Sequence, residues 1–279
     1  MTPSVGIGLR APHVREFLAC DTPPVDYVEV IADNYLTDAD APRRLLDQIA
    51  ERVPVVLHSL GLNLLGSGPL DPEYLRRLRD LARRVNAPWV SDHLCWTRTH
   101  SHNLFDLLPV PWRSDLVPWA ARRAAQVQAT LDRPFGLENL TSYVRFGDSD
   151  LSEGEFYSAV VNEAHCHFML DLNNIRVSEM NFGEKPAEFL QHIDPARVLQ
   201  IHLAGQVPTG TLTIDTHDAP VTDEVWALYR TWLQRPGAVA IPTLIEWDEN
   251  VPSFGALLLQ ARAIHQHRDQ RVADDGAPA

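Results

Sequence analysis

Lysine is nearly missing from this chain: of its 24 basic residues only Lys185, in Gly-Glu-Lys-Pro, is a lysine, and the rest are arginines. A Schiff-base enzyme would have to rest on that one residue, in a stretch that reads as loop, and no glycine-rich phosphate loop ends in Lys-Ser or Lys-Thr. Three cysteines, Cys20, Cys95 and Cys166, are too few for a disulfide framework. No run approaches the roughly 18 unbroken apolar residues of a membrane span, which excludes a helical membrane protein. The opening residues show neither a basic nor an apolar signal region, so the expected location is the cytoplasm. Basic residues are outnumbered 37 to 24, and the net charge of −13 repels polyanions, so nucleic acid is not an expected partner.

What is present is a chain of 279 residues, 45% hydrophobic and 22% charged. That is enough to bury the core of one large domain without staples. Eight short apolar runs have the length and β-branched content of buried strands: Val5 to Leu9, Val25 to Ala32, Pro54 to Ser59, Pro88 to Leu94, Pro134 to Asn139, Phe168 to Asn173, Val198 to Ala204 and Pro242 to Asp248. Amphipathic stretches fall between and after them: Ala41 to Arg52, Pro72 to Val85, Ser114 to Leu131, Glu153 to Ala164, Pro186 to His192, Asp223 to Leu233 and Pro252 to His267. Strands alternating with helices over the whole length predict parallel βαβ units closing into a single (β/α)8 TIM barrel over residues 1–267, followed by a polar, frayed tail over 268–279.

The titratable residues collect where such a barrel does chemistry. His58, His93, Glu138, Asp171, His202 and Glu246 each stand near the carboxyl end of a strand candidate, and Asp215 and His217, two residues apart after the seventh strand, can face the same side. Asn174 can curl back over the end of the sixth strand; Asn173, in register with Asp171 in a regular strand, is its rival, and both remain open. A lone strand histidine is usually a core or surface residue. Four imidazoles and four carboxylates converging on one mouth, however, would be prohibitively costly to desolvate without cations. The inventory exceeds the needs of one ion and suits two or three bridged by carboxylate, with Glu138, Asp171 and Glu246 at the reacting centre. His165, Cys166 and His167 precede a strand, at the opposite end of the barrel, and read as structural. His100 and His102 read as a solvated loop, His265 and His267 as surface, and Cys95 as a small buried hydrophobe.

The ordered motifs Gly6-Ile-Gly-Leu-Arg10, Val28-Glu-Val with Asp33-Asn-Tyr35, Leu57-His-Ser-Leu-Gly-Leu62, Ser91-Asp-His-Leu94, Asp106-Leu-Leu-Pro109, Leu137-Glu-Asn139 with Ser142-Tyr143, Leu170-Asp-Leu-Asn-Asn174, Ile201-His-Leu-Ala-Gly205, Ile214-Asp-Thr-His217 and Glu246-Trp-Asp248 resemble the multinuclear non-heme iron-dependent oxidative enzymes. That family, long called a domain of unknown function, includes the methanobactin-biosynthesis oxidase and the 3-thiaglutamate-pathway enzyme. The resemblance implies a TIM barrel with two or three irons of mixed Fe2+/Fe3+ state and O2 as co-substrate. It further implies a ribosomally made precursor peptide modified at cysteine, and a partner protein that presents the peptide. It assigns His58, His93 and bridging Glu138 to one iron; Glu138, Asp171, His202 and Glu246 to a second; and Asn174, Asp215 and His217 to a third. Arg10, Asn34, Asp106 and Asn139 become candidate substrate contacts. Asp33 and Asp92 stand where the family commonly has glutamate, and Gln206 where it has histidine, departures that bear on the substrate pocket rather than on the ligands. The ligand types also resemble the zinc endonuclease and sugar (xylose) isomerase barrels, which makes a zinc- or manganese-dependent hydrolase or isomerase the alternative. An amide at Asn174, where the endonuclease pattern has histidine, favours iron.

Overall fold

The computed structural model describes residues 4–99, 102–141, 143–207, 210 and 212–276. Eight parallel strands close a barrel: β1 (Val5–Gly8), β2 (Tyr27–Ile31), β3 (Val55–His58), β4 (Val90–His93), β7 (Phe135–Glu138), β8 (His167–Asp171), β9 (Val198–Leu203) and β10 (Thr243–Ile245). Between β4 and β7 the chain inserts an antiparallel hairpin, β5 (Trp96–Arg98) and β6 (Asn103–Leu108), that takes no part in the barrel. Helices α1 (Ala11–Ala19), α2 (Asp40–Ala50), α3 (Pro72–Arg84), α4 (Val117–Leu131), α5 (Glu153–Ala164), α6 (Leu172–Phe182), α7 (Pro186–Leu190), α8 (Asp223–Leu233) and α9 (Phe254–Gly276) connect or follow the strands.

Local chemistry starts these helices where the strands and loops end. Asp71 caps α3 by accepting from the amides of Glu73 and Tyr74, Ser152 and Glu155 form a reciprocal capping box on α5, and Thr222 caps α8. The apolar faces of helices and strands then merge into one core, in which each fully buried Val, Leu or Ile contributes about 1.5–3 kcal/mol. Inside the barrel, Tyr27, Val56 and Leu244 form a separate small cluster with Trp89 packed against it. Gly6 makes room there, because a Cβ at that position would sit 2.6 Å from the Tyr27 ring. This cluster closes the lumen and leaves the carboxyl ends of the strands as the open mouth.

The eight barrel strands coincide with the eight apolar runs; the departures are the β5–β6 hairpin and α1, neither of them expected, and two element boundaries. The sixth run was expected to stay extended to Asn173, but β8 stops at Asp171 and α6 starts at Leu172, because the Asp171 carboxylate accepts the Asn174 amide at 2.6 Å and nucleates the helix. The boundary expected after His267 falls inside α9. Arg268 is buried, and its guanidinium donates to the Ile241 carbonyl at 2.7 Å, to Thr243 Oγ1 at 2.9 Å and to the Tyr229 hydroxyl at 3.0 Å. A residue read as the start of a polar tail instead ties α9 to the base of the barrel, and residues 277–279 lie outside the described ones.

Candidate metal centre

Strand register brings the titratable residues to one level. In the parallel pairs His93 is opposite Glu138, and Asp171 is opposite His202, so each couple shares a face and projects into the mouth. His58 ends β3, and Glu246 follows β10 directly. All six are buried, none more than 6% exposed.

Their donor atoms form three overlapping groups. Glu138 Oε2 lies 3.3 Å from His58 Nε2 and 3.0 Å from His93 Nε2. Its other oxygen faces His202 Nδ1 at 3.7 Å, and that nitrogen is 2.9 Å from Glu246 Oε2 and 4.0 Å from Asp171 Oδ2. Glu246 Oε2 is in turn 3.3 Å from His217 Nδ1, which is 3.4 Å from Asp248 Oδ2. The groups are therefore His58, His93 and Glu138; Glu138, Asp171, His202 and Glu246; and His217, Glu246 and Asp248, with the donor atoms of each within 4.8 Å of one another. Glu138 links the first to the second, and Glu246 the second to the third.

The donors fit cations better than they fit one another. Glu138 Oε2, Asp171 Oδ2, His202 Nδ1 and His217 Nε2 are all buried without a hydrogen-bond partner, although oppositely charged atoms lie close by. Buried polar atoms are nearly always paired, and four orphans distributed through these adjoining groups of carboxylates and imidazoles are an arrangement that metal ions satisfy. The set is nitrogen and oxygen throughout, with no thiolate: Cys95 is buried, and burial pushes its thiol well up.

A second layer fixes the donors in place. His58 Nδ1 is 2.9 Å from Ser91 Oγ, which turns Nε2 toward Glu138. His202 Nε2 is 3.1 Å from Glu29 Oε2, and that oxygen also accepts from Gln200 Nε2 at 2.6 Å. Gln200 Oε1 is anchored by Trp89 Nε1 at 2.7 Å. Carboxylate on one ring nitrogen and metal on the other is the usual device for fixing a ligand's tautomer. Arg10 Nη2 is 3.2 Å from Glu246 Oε1, and Nε donates to Asp248 Oδ1 at 2.8 Å. Asn139 spans the gap between β7 and β8, accepting from the Asp171 amide and donating to its carbonyl, both at 2.9 Å. The Asn139 carbonyl accepts from Asn174 Nδ2 at 2.9 Å.

The electrostatics follow from crowding acids and imidazoles in a dry site. Burial alone would lower the histidines, yet the carboxylates around them win. His93, beside Glu138 and Asp92, is pushed up to about 10, and His202 and His217 are held well above their usual range by Glu29 and Glu246 and by Asp215 and Glu246, respectively. Among the acids, burial raises Asp171 well above the usual carboxylate range. Glu246 is held well below it, burial being outweighed by His202 and His217.

Of the nine expected ligands, His58, His93, Glu138, Asp171, His202, His217 and Glu246 fall in the three groups. Asp215 Oδ1 is 2.8 Å from His217 Nε2 and accepts from Asn173 Nδ2 at 2.8 Å, so Asn173 braces Asp215. Asn174 lines the metal-facing cavity of about 210 Å³ and receives the Thr141 hydroxyl on Oδ1 at 2.9 Å. Among the expected substrate contacts only Asp106 lines that cavity; Arg10 and Asn139 brace ligands, and Asn34 is exposed. Asp33 accepts from the Leu60 amide and the Tyr74 hydroxyl, and Asp92 from Ser59 and the Leu62 amide, so both hold the loop after β3. His165 and His167 lie at the far end of β8, and His267 stacks on Trp226 with ring centroids 4.5 Å apart. His100 and Ser142 lie outside the described residues. Sequence reasoning did not single out Glu29, Gln200 or Asp248; for Glu29 and Gln200 the available signal was a charged or amide side chain inside an otherwise apolar strand, and Asp248 lies in the loop beyond β10.

Comparison with known proteins shows the family and the fold. Residues 4–269 match the family described as "RiPP precursor modification enzyme MbnB/TglH/ChrH". A UPF0276 protein of Caulobacter vibrioides is 43% identical over 255 residues, covering 91% of this chain and 90% of the relative, and one from Anaeromyxobacter is 40% identical over 257 residues, covering 92% and 90%. Among solved structures, an L-ribulose 3-epimerase has a TM-score of 0.63 at 17% identity, covering 98% of this chain and 97% of that one. Endonuclease IV from Thermus thermophilus has 0.61 at 16%, covering 96% and 100%. At these identities the solved structures share the fold, a xylose-isomerase-like TIM barrel.

Proposed function

The chain belongs to the RiPP precursor modification enzymes, and from that premise we propose that it is a non-heme iron, O2-dependent oxidoreductase acting on a cysteine of a ribosomally made precursor peptide. The observation that supports this reading is the sharing of Glu138 and Glu246 between candidate ligand groups, an arrangement that suits more than one ion. Mixed nitrogen and oxygen donors accept iron, manganese or zinc alike, so metal identity is a matter of activity rather than affinity. Iron held there supplies redox equivalents and Lewis acidity for a bound thiol and dioxygen.

The protein's own residues do the rest. His58, His93 and Glu138 would hold an ion at the first position, and Asp171, His202 and Glu246 would complete a second with Glu138; His217, with Asp215, Asp248 and Asn174 nearby, would hold the outermost. Arg10 fixes Glu246 and Asp248, and so sets the spacing between the inner and outer positions. Leu60, Leu107, Leu140 and Tyr143 wall the cavity above the donors and limit water around the reacting sulfur. Tyr143 also ties the loops together, its hydroxyl accepting the Asp215 amide at 2.9 Å. No described helix is long and apolar enough to cross a membrane, and the acidic charge suits a peptide better than nucleic acid. The reading includes a cytoplasmic location and a partner protein that delivers the peptide.

The test is anaerobic reconstitution with ferrous iron, followed by oxygen and a cysteine-bearing precursor peptide encoded beside the gene. Oxygen uptake with a mass change at the cysteine is expected. Equal turnover with zinc would establish hydrolytic chemistry instead.

A further inference from the structure

A second cavity, of about 510 Å³, adjoins the metal-facing one, and Leu60, Asp106 and Leu107 line both. Its outer wall is the β5–β6 hairpin, which the barrel itself does not require. The hairpin is pinned in place: Asn63 Oδ1 accepts the Thr97 amide at 2.7 Å, and Trp96 Nε1 donates to the Pro109 carbonyl at 2.8 Å. The opposite wall is equally set, since Gly61 lies so close to Tyr74 that a Cβ there would be 2.6 Å from the ring.

Two of the three charged groups of this cavity are paired with other side chains or loop amides, while Asp106, at its junction with the first cavity, accepts the Leu107 amide on Oδ1 at 2.8 Å. Asp33 gives one oxygen to the Leu60 amide and the other to the Tyr74 hydroxyl, each at 2.9 Å, and Arg98 pairs with Asp71 at 3.6 Å. What remains for a ligand is largely the apolar surface of Leu60, Tyr74, Thr97 and Leu107, next to the reacting centre and large enough for a side chain with its backbone.

We propose that this cavity is a specificity subsite that takes an apolar side chain of the substrate peptide, from a residue within two positions of the one presented to the metals. The proposal rests on the peptide-modifying reading above. An extended peptide advances about 3.3 Å per residue, so a side chain one or two positions away reaches an adjoining cavity while the modified residue stays over the donors.

The test uses zinc-loaded protein kept anaerobic, so that binding is read without oxidation of the peptide, and titration calorimetry with acetyl-Gly-Gly-Cys-Gly-Gly-amide. Four further peptides carry a leucine at each flanking position in turn. One position should tighten binding about tenfold, the gain from burying most of a leucine side chain. Thr97→Trp, which fills the cavity, should abolish that gain at unchanged metal content. Leu107→Arg, at a partly exposed site that tolerates the change, should shift the preference at the same position from leucine to aspartate. No gain at any position, no binding by any peptide, or a gain that survives Thr97→Trp in folded protein overturns the subsite. Replacing the cysteine by serine separates the two readings. A leucine gain with no cost for serine keeps the subsite and removes the cysteine assignment; a cost for serine with no leucine gain does the reverse.

Discussion

Glu29 Oε2 lies 3.1 Å from Nε2 of His202, deep in the barrel, and the ring's other nitrogen faces Glu246 at 2.9 Å. His202 is thereby committed to ligation through Nδ1, while His58 and His93 turn Nε2 toward Glu138. Replacing Glu29 by leucine removes the partner that fixes this tautomer. Affinity for one ion should fall by about 10–100-fold, measured as metal content after dialysis against graded chelator. Unchanged stoichiometry and affinity would show that the carboxylate only fills space.

Glu138 and Glu246 should be distinguishable by stoichiometry. Glu138→Ala removes a donor from both inner groups and should cost most of the bound metal, whereas Glu246→Ala leaves His58, His93 and Glu138 intact and should retain one ion. Elemental analysis of the two variants after identical reconstitution checks this.

The raised histidines give the chelator-treated protein a signed pH dependence. His93 is held at about 10, against roughly 6.5 in an unfolded chain, so its contribution is full below the lower value and is lost as pH climbs to the upper one. His202 and His217 act in the same sense. Glu246 is depressed, so its contribution is lost on the acid side instead. The melting temperature should therefore fall on both sides of a maximum near pH 5–6.5. Metal affinity should rise with pH over the interval where the metal-stripped protein weakens, because ligation requires neutral imidazoles. A flat profile from pH 6.5 to 10 would contradict the assignment.

Arg10 sits between two carboxylates, so Arg10→Met leaves only the imidazoles of His202 and His217 to offset Glu246 and Asp248. Because Asp248 is partly exposed, the expected loss in chelator-treated protein is about 2–3 kcal/mol rather than the larger cost of a fully buried pair. Bound metal should restore much of it, which paired chemical denaturations with and without zinc would reveal.

The glycine of the His-Leu-Ala-Gly motif has a plain steric cause. A Cβ on Gly205 would lie 1.9 Å from the Pro220 carbonyl oxygen, so Gly205→Ala must displace backbone. A loss of about 2 kcal/mol is expected, or roughly 4–8 °C in melting temperature for a chain of this size.

The barrel was legible because each strand is buried on both faces and therefore reads as a short, mainly apolar run, Val55–His58 being a clear case with Val-Val-Leu ahead of its terminal histidine. The candidate ligands stood out because most of them interrupt those runs at one end. The hairpin was not: Trp96–Arg98 is three residues of mixed polarity, with nothing periodic to detect. Helix α1, nine residues between two apolar runs with no side-chain cap, was also missed. Glu29 and Gln200 lie inside strands rather than at their ends, and their meaning depends on the closure that sets them beside His202, a relationship across 173 residues in one case. The third group was half legible: Asp248 was visible only as part of a motif, and fold geometry gives it to His217.

Asp171 does two jobs with one carboxylate, since Oδ1 caps α6 through the Asn174 amide while Oδ2 faces the other donors. This restricts what drift can do at the position. Glutamate would keep a ligand oxygen but overreach the cap, and asparagine or serine would keep the cap but forfeit the negative charge. An exchange that is conservative by charge or by shape alone therefore disturbs one partner of the pair. Aspartate is the residue that meets both demands, and a lineage altering the metals at this site has more freedom at His217 or Asp248, which no helix depends upon for its first turn.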